Sequence, residues 1–135
     1  MALNPKFSNL AVNTAGDAVG PLLNNGYLRL YDGTQAATAD TAVGSQVLLA
    51  ELRFNATAFG AAVAGVITAN AVTQDSAANA TGTATWYRCL KSDGSSVVCD
   101  GSVGTAGADC VLNSTAIQVN AAVSVTSFTL TVPKG

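Results

Sequence analysis

Cys89, Cys99 and Cys110 are the strongest nucleophiles in the chain, and no histidine stands anywhere in the sequence to activate them. No Ser-His or Cys-His arrangement can form, and the usual general base near neutral pH is missing. Acid–base chemistry would have to come from eight carboxylates. Asp32, Asp93 and Asp100 each precede a glycine, as in a tight turn; Asp40, Asp75 and Asp109 fall in loops or at strand edges, and Asp17 in a helical segment. Glu51, next to Leu52 and on the same strand face as Arg53, predicts a cross-strand or same-face ion pair rather than an acid catalyst. The cysteine spacing matches no zinc motif, and no D-x-D-x-D run supports calcium. The glycines of "DGSVGTAGAD" lack the strand, turn and helix context of a nucleotide site and read as a flexible loop. The sequence predicts a protein that is not an enzyme and uses no cofactor and no metal.

Two residue groups offer binding chemistry instead. In "GYLRLYDG", Leu28 and Leu30 point to one side of a strand while Tyr27, Arg29 and Tyr31 point to the other, and Asp32-Gly33 ends it. Two amphipathic rings around a cation suit either a half-exposed sheet face or an interface. Arg53 has the outward phase in the next strand, "QVLLAELRFN", where Leu48, Ala50, Leu52 and Phe54 share the other face. Cys89 and Cys99 flank a hairpin around Asp93-Gly94 that could set them opposite one another. Their apolar neighbours Leu90, Val98, Val111 and Leu112, with a cytoplasmic origin, favour three buried free thiols.

The elements that must position these groups follow a regular punctuation. Residues 1–25 form an N-terminal arm in which Ala15, Ala18, Val19 and Leu22 fall at helical spacing, with Thr14 as cap and Asn25-Gly26 as stop. Gly16, Gly20 and Pro21 weaken that helix, so a short imperfect one is expected. Leu3, Phe7 and Leu10 in the arm must be buried against the domain or against a partner. From residue 26 to 135, eight short strands separated by Gly, Asn and Asp turns predict a mainly β domain, an antiparallel β-sandwich of jelly-roll or immunoglobulin-like kind. The inward phase slips near Thr126-Ser127, which predicts a β-bulge or a strand changing sheets. In "TWYRCLK" neither face is plainly solvent, so the N-terminal helical segment or another protein chain is expected to cover the Tyr87, Cys89 and Lys91 side; Trp86 reads as core.

Composition limits the partners. Hydrophobic residues make up 49% of the chain, charged ones 10%, and the formal charge is −2. The six cations are scattered from Lys6 to Lys134, which disfavours nucleic acid. No apolar run reaches the ~18 residues of a membrane span, and "MALNPKFSNL" has neither the basic nor the apolar region of a secretory signal, so a soluble product of the cytoplasm is expected.

The segments "GYLRLYDGTQ", "LLAELRF", "FGAAVAGVITANAVT", "GTATWYRCLKSDGS" and "DGSVGTAGAD" together resemble small virion proteins of tailed bacteriophages, over most of the chain. Such Ala/Thr/Gly/Val-rich β proteins are similar to capsid decoration, or cement, proteins. The resemblance implies a structural protein on the outer surface of the virion capsid, made in the host cytoplasm, with the major capsid protein as partner and self-association into a homo-oligomer. The alternative within the same resemblance is a head-fibre or tail-tip module that binds a bacterial surface receptor or glycan through exposed tyrosines or Trp86. The chain departs from the resemblance at Gly16, Gly20 and Pro21, where an alanine-rich helix is implied, and at Cys99 and Cys110, where apolar residues are implied. On this reading Leu3, Phe7, Leu10, Tyr27, Arg29, Tyr31 and Arg53 are candidate subunit or capsid contacts.

Overall fold

The computed structural model describes residues 3–135. After an extended start, helix α1 (Asn9–Val19) begins at Ser8, whose hydroxyl accepts from the Ala11 amide at 3.2 Å. Thr14, the expected cap, lies inside the helix and donates to the Leu10 carbonyl. A 3-10 turn (Gly20–Leu23) follows directly. Pro21 sits in its first turn, where a missing amide proton costs nothing, so it redirects the helix rather than breaking it.

The glycines expected to weaken α1 are its packing surface. Val12, Gly16, Gly20 and Leu23 form the buried stripe, while Ala18 and Leu22 of the expected stripe are exposed. A methyl on Gly16 would stand 3.2 Å from Ala62 Cβ and from Ile67 Cγ2, and one on Gly20 would stand 3.3 Å from Phe59 Cβ. Lacking side chains, these two positions let the helix backbone settle onto the domain.

Nine strands follow among the described residues: β1 (Tyr27–Tyr31), β2 (Leu48–Arg53), β3 (Val66–Thr68), β4 (Gly82–Thr83), β5 (Trp86–Leu90), β6 (Val97–Gly104), β7 (Cys110–Leu112), β8 (Ala116–Ile117) and β9 (Val125–Thr131). Seven make one sheet in the order β2-β1-β5-β6-β7-β9-β3, and β4 pairs with β8 apart from it. The expected antiparallel pairing has one exception, which makes the sheet mixed: β6 and β7 run parallel, Val103 against Cys110. The loop at 105–109 joins them, and Asp109 returns to accept from the Ser102 amide and hydroxyl.

Among the described residues, register shifts interrupt the ladder at three places, and two of them decide the side-chain phases read from the sequence. On β9, Val111 pairs with Ser127 but Leu112 with Val125, so Thr126 is the extra residue, as the phase slip predicts. On β2, Leu30 pairs with Ala50 but Tyr31 with Leu48. Leu49 is thereby turned into the core and Leu48 is left half-buried, the reverse of strict alternation.

The sheet curls so that residues from strands far apart in its order meet. Phe54 at the end of β2 and Phe128 on β9 lie 5.7 Å apart between ring centres, with Phe59 and Tyr87 completing an edge-to-face cluster. The Tyr87–Cys89 face is thus the inner face of the domain, packed with Leu28, Leu30, Ala50 and Leu52. Two of the cysteines, Cys89 and Cys110, are buried free thiols as expected, but Cys99 is only half-buried. Burial pushes the Cys110 thiol up to about 12, with Asp109 adding to the effect, and drives Cys89 and Tyr87 upward as well.

The string "DGSVG" is not a loop. Asp100 and Gly101 lie within β6, and the Tyr87 ring occupies the space above Gly101: a methyl there would meet Tyr87 Cε2 and Cζ at 2.5 Å. Gly101→Ala should therefore lower stability by about 2–4 kcal/mol in urea unfolding, against within ~0.5 kcal/mol for Gly44→Ala, whose added methyl meets only the Gln46 side chain. The raised acids set the alkaline limit. Folding favours their protonated forms, so their contribution is intact below about pH 9 and is lost as pH rises through the folded values. The unfolding midpoint should hold from about pH 7 to 8.5 and fall steadily above about pH 9, less steeply in Cys110→Ala. A flat profile to pH ~11 would contradict buried thiols.

Candidate interaction surface

The outer face of β2, β1, β5 and β6 collects the arginines and most of the large polar rings. Across it, Glu51, Arg29, Arg88 and Asp100 stand in one transverse row, because Arg29 pairs in register with Glu51 on one side and Arg88 on the other, and Arg88 with Asp100. Two like charges are therefore direct neighbours on β1 and β5, and each is satisfied on its far side. Arg29 Nε donates to Glu51 Oε2 at 2.7 Å, and Arg29 Nη2 to the Gly94 carbonyl at 3.3 Å. Arg88 makes a two-pronged contact with Asp100, Nε to Oδ1 at 2.7 Å and Nη2 to Oδ2 at 2.8 Å. The hydrogen bond to Asp100 raises the Arg88 pKa, against the opposing effect of burial.

Burial separates the two pairs. Arg88 and Asp100 are almost wholly enclosed, whereas Arg29 and Glu51 remain about a quarter to a third exposed, at 26% and 32%. The loop at 33–46 supplies part of the enclosure, since Thr38 presents its carbonyl to Arg88 Nη2 at 3.4 Å. Its ends are fixed by Asp32, which takes the Val47 amide at 2.6 Å, and by Gln46, which donates to the Thr34 carbonyl at 2.6 Å.

Of the predicted contact residues, Tyr31 is withdrawn from the surface. It points outward in phase, as expected, but it is only 6% exposed and stacks on Trp86 with ring centres 4.8 Å apart. Trp86 is 1% exposed and donates from Nε1 to the Asp32 carbonyl at 3.0 Å, as the core reading of that residue requires. Tyr27 and Arg53, paired directly across β1 and β2, do form a surface unit: the guanidinium lies 4.0 Å from the ring centre and donates to the Asn25 carbonyl at 2.8 Å. Of the two ion pairs expected for Glu51, cross-strand and same-face, the structure has the cross-strand one, with Arg29.

Leu3, Phe7 and Leu10 occupy a different place, ahead of and at the start of α1. They are 95%, 53% and 78% exposed. The Phe7 amide donates to the Lys134 carbonyl at 2.7 Å, and further along α1 the Asn13 and Asp17 side chains hold the amides of Gly65 and Ala62. Arg88 and Asp100 escaped the sequence reading as partners. The signal was an arginine in phase with Trp86 and Leu90, which calls for a carboxylate on an adjacent strand.

Among the described residues no group of three or more His, Cys, Asp or Glu side chains could hold a metal ion, and no helix is long and apolar enough to cross a membrane. No protein-family model, curated protein or solved structure matches this chain.

The two ion pairs should differ sharply on truncation. Asp100→Ala leaves an uncompensated buried guanidinium and should cost about 3–5 kcal/mol in denaturant unfolding, whereas Glu51→Ala should cost under ~1 kcal/mol. Equal losses would place both pairs in the same dielectric environment and contradict the enclosure of Arg88.

Proposed function

We propose that this chain is a structural virion protein of tailed-bacteriophage type that binds the outer surface of an assembled capsid and stabilises it, as a decoration or cement protein. Its partners on this reading are the major capsid protein and further copies of itself, and its place is the virion, assembled in the host cytoplasm. The curled sheet then serves as a β-sandwich body of jelly-roll or immunoglobulin-like kind. The observation that carries the reading is the exposure of Leu3, Phe7 and Leu10 on a segment whose neighbouring residues are tied to the domain. Large apolar side chains held out in this way suit burial against another chain. The Tyr27–Arg53 unit adds a second surface of the residue types that dominate interface energetics. Many copies on a lattice, each with modest contacts, gain avidity from simultaneous engagement. The fibre or tail-tip reading is less well supported, because, of the rings that could stack on a glycan, Trp86 and Tyr31 are enclosed and Tyr27 has one face taken by Arg53.

Cosedimentation with capsids that lack the protein tests the proposal. Wild-type protein should pellet with expanded capsids. Phe7→Ser with Leu10→Ser should weaken binding about tenfold or more while leaving the unfolding midpoint nearly unchanged, since neither side chain belongs to the core. Tyr27→Ala with Arg53→Ala should weaken it by a smaller factor. A wild-type protein that stays in the supernatant at micromolar concentration would sink the reading.

A further inference from the structure

Cys89 and Cys99 stand directly opposite one another on the antiparallel strands β5 and β6. Opposed residues in such a pair have Cα atoms about 4.5–5.5 Å apart, inside the window of about 4.4–6.8 Å that a disulfide needs. Both side chains belong to the inner face. Their accessibility differs. Cys89 is fully enclosed, whereas Cys99 lines a cleft of about 210 Å³ together with Val19, Tyr87, Asp109 and Leu130. Cys110, on β7, pairs in register with Val103 and Phe128, so neither of the other cysteines faces it across a strand pair.

We infer that Cys89 and Cys99 form a latent cross-strand redox site, in which Cys99 takes oxidising equivalents from a small peroxide entering the cleft and Cys89 resolves the product to a disulfide. The Cys99 sulfur attacks one peroxide oxygen; the O–O bond breaks, leaving Cys99 as a sulfenic acid and releasing one water. The Cys89 sulfur then attacks the Cys99 sulfur, the S–O bond breaks, and the departing hydroxyl leaves as a second water with the Cys89 proton. Two thiols lose two hydrogens and two electrons to one peroxide. Cys99, which reaches the cleft, is the sulfur that meets the peroxide; Cys89 is shut away from it and reaches only Cys99, and because burial disfavours its thiolate, closure of the bridge is the slower of the two steps. The bridge would tie β5 to β6 beside the place where their register shifts, between Cys89 and Leu90.

The test uses the full chain purified under reductant, then treated with a modest excess of hydrogen peroxide and denatured before thiol titration. Three thiols should fall to one, with Cys89 and Cys99 disappearing together about tenfold faster than Cys110 and returning on addition of dithiothreitol. Cys110→Ala should fall from two thiols to none, and Cys99→Ala should keep both of its own. Peptide mapping of the wild-type product should find Cys89 joined to Cys99. Retention of three thiols, a bridge that includes Cys110, or conversion of Cys99 to a sulfinic acid beside an intact Cys89 thiol would overturn the inference.

Discussion

The structure turns on an arginine in a strand that is buried on both faces. Every residue of β5 from Trp86 to Leu90 is enclosed, and Arg88 lies in its middle. A guanidinium cannot be neutralised by losing its proton, so enclosure obliges the neighbouring strand to supply a carboxylate at the matching position. Asp100 does so, and that requirement makes a strand of a sequence that locally reads as a turn. The same constraint reaches the other side: Arg29 faces Arg88 in register, so β2 must present Glu51 opposite Arg29. The order of signs across four strands leaves little freedom, because slipping either flanking strand by one residue would turn its carboxylate to the apolar face.

The inner face answers a second demand, set by Tyr87. Its ring needs a position on β6 with no side chain, which Gly101 provides directly after Asp100. One dipeptide thus meets the two faces of β5 at once, its aspartate the arginine and its glycine the tyrosine. This is why "DG" at 100–101 behaves unlike "DG" at 32–33 and 93–94, where Gly33 and Gly94 adopt positive φ and the chain does turn. Local turn chemistry was the right rule for two of the three; tertiary contacts decided the third.

What the sequence made legible was governed by nearest-neighbour periodicity. The leucine face of β1, the core position of Trp86 and the slip at Thr126 all follow from alternation or its interruption. Alternation failed where an unmarked bulge intervened, at Leu48 and Leu49, since no glycine or change of residue type announces it. It also gives the direction of a side chain but not its cover: Tyr31 points outward as read, yet it is stacked on Trp86 and enclosed. In the arm, helix propensity marked Gly16 and Gly20 as defects. Their effect on the folded chain is the opposite, because close approach to Ala62, Ile67 and Phe59 depends on what those positions lack.

These placements also divide the surface of the chain by how far its own residues satisfy it. The sheet interior is filled by the Phe54–Phe59–Phe128–Tyr87 cluster, and the enclosed part of the outer face by Tyr31, Trp86 and the Arg88–Asp100 pair. Asn13 and Asp17 commit α1 to the backbone amides of Gly65 and Ala62. What remains without cover in the same region is Leu3, Phe7 and Leu10, of which Phe7 is held through its amide by Lys134 and Leu10 by its place in α1. A flexible tail bearing such residues would lose conformational entropy on docking. Leu10, within α1, and Phe7, held through its amide, have met part of that cost in folding, so a larger share of the apolar area they bury would appear as affinity.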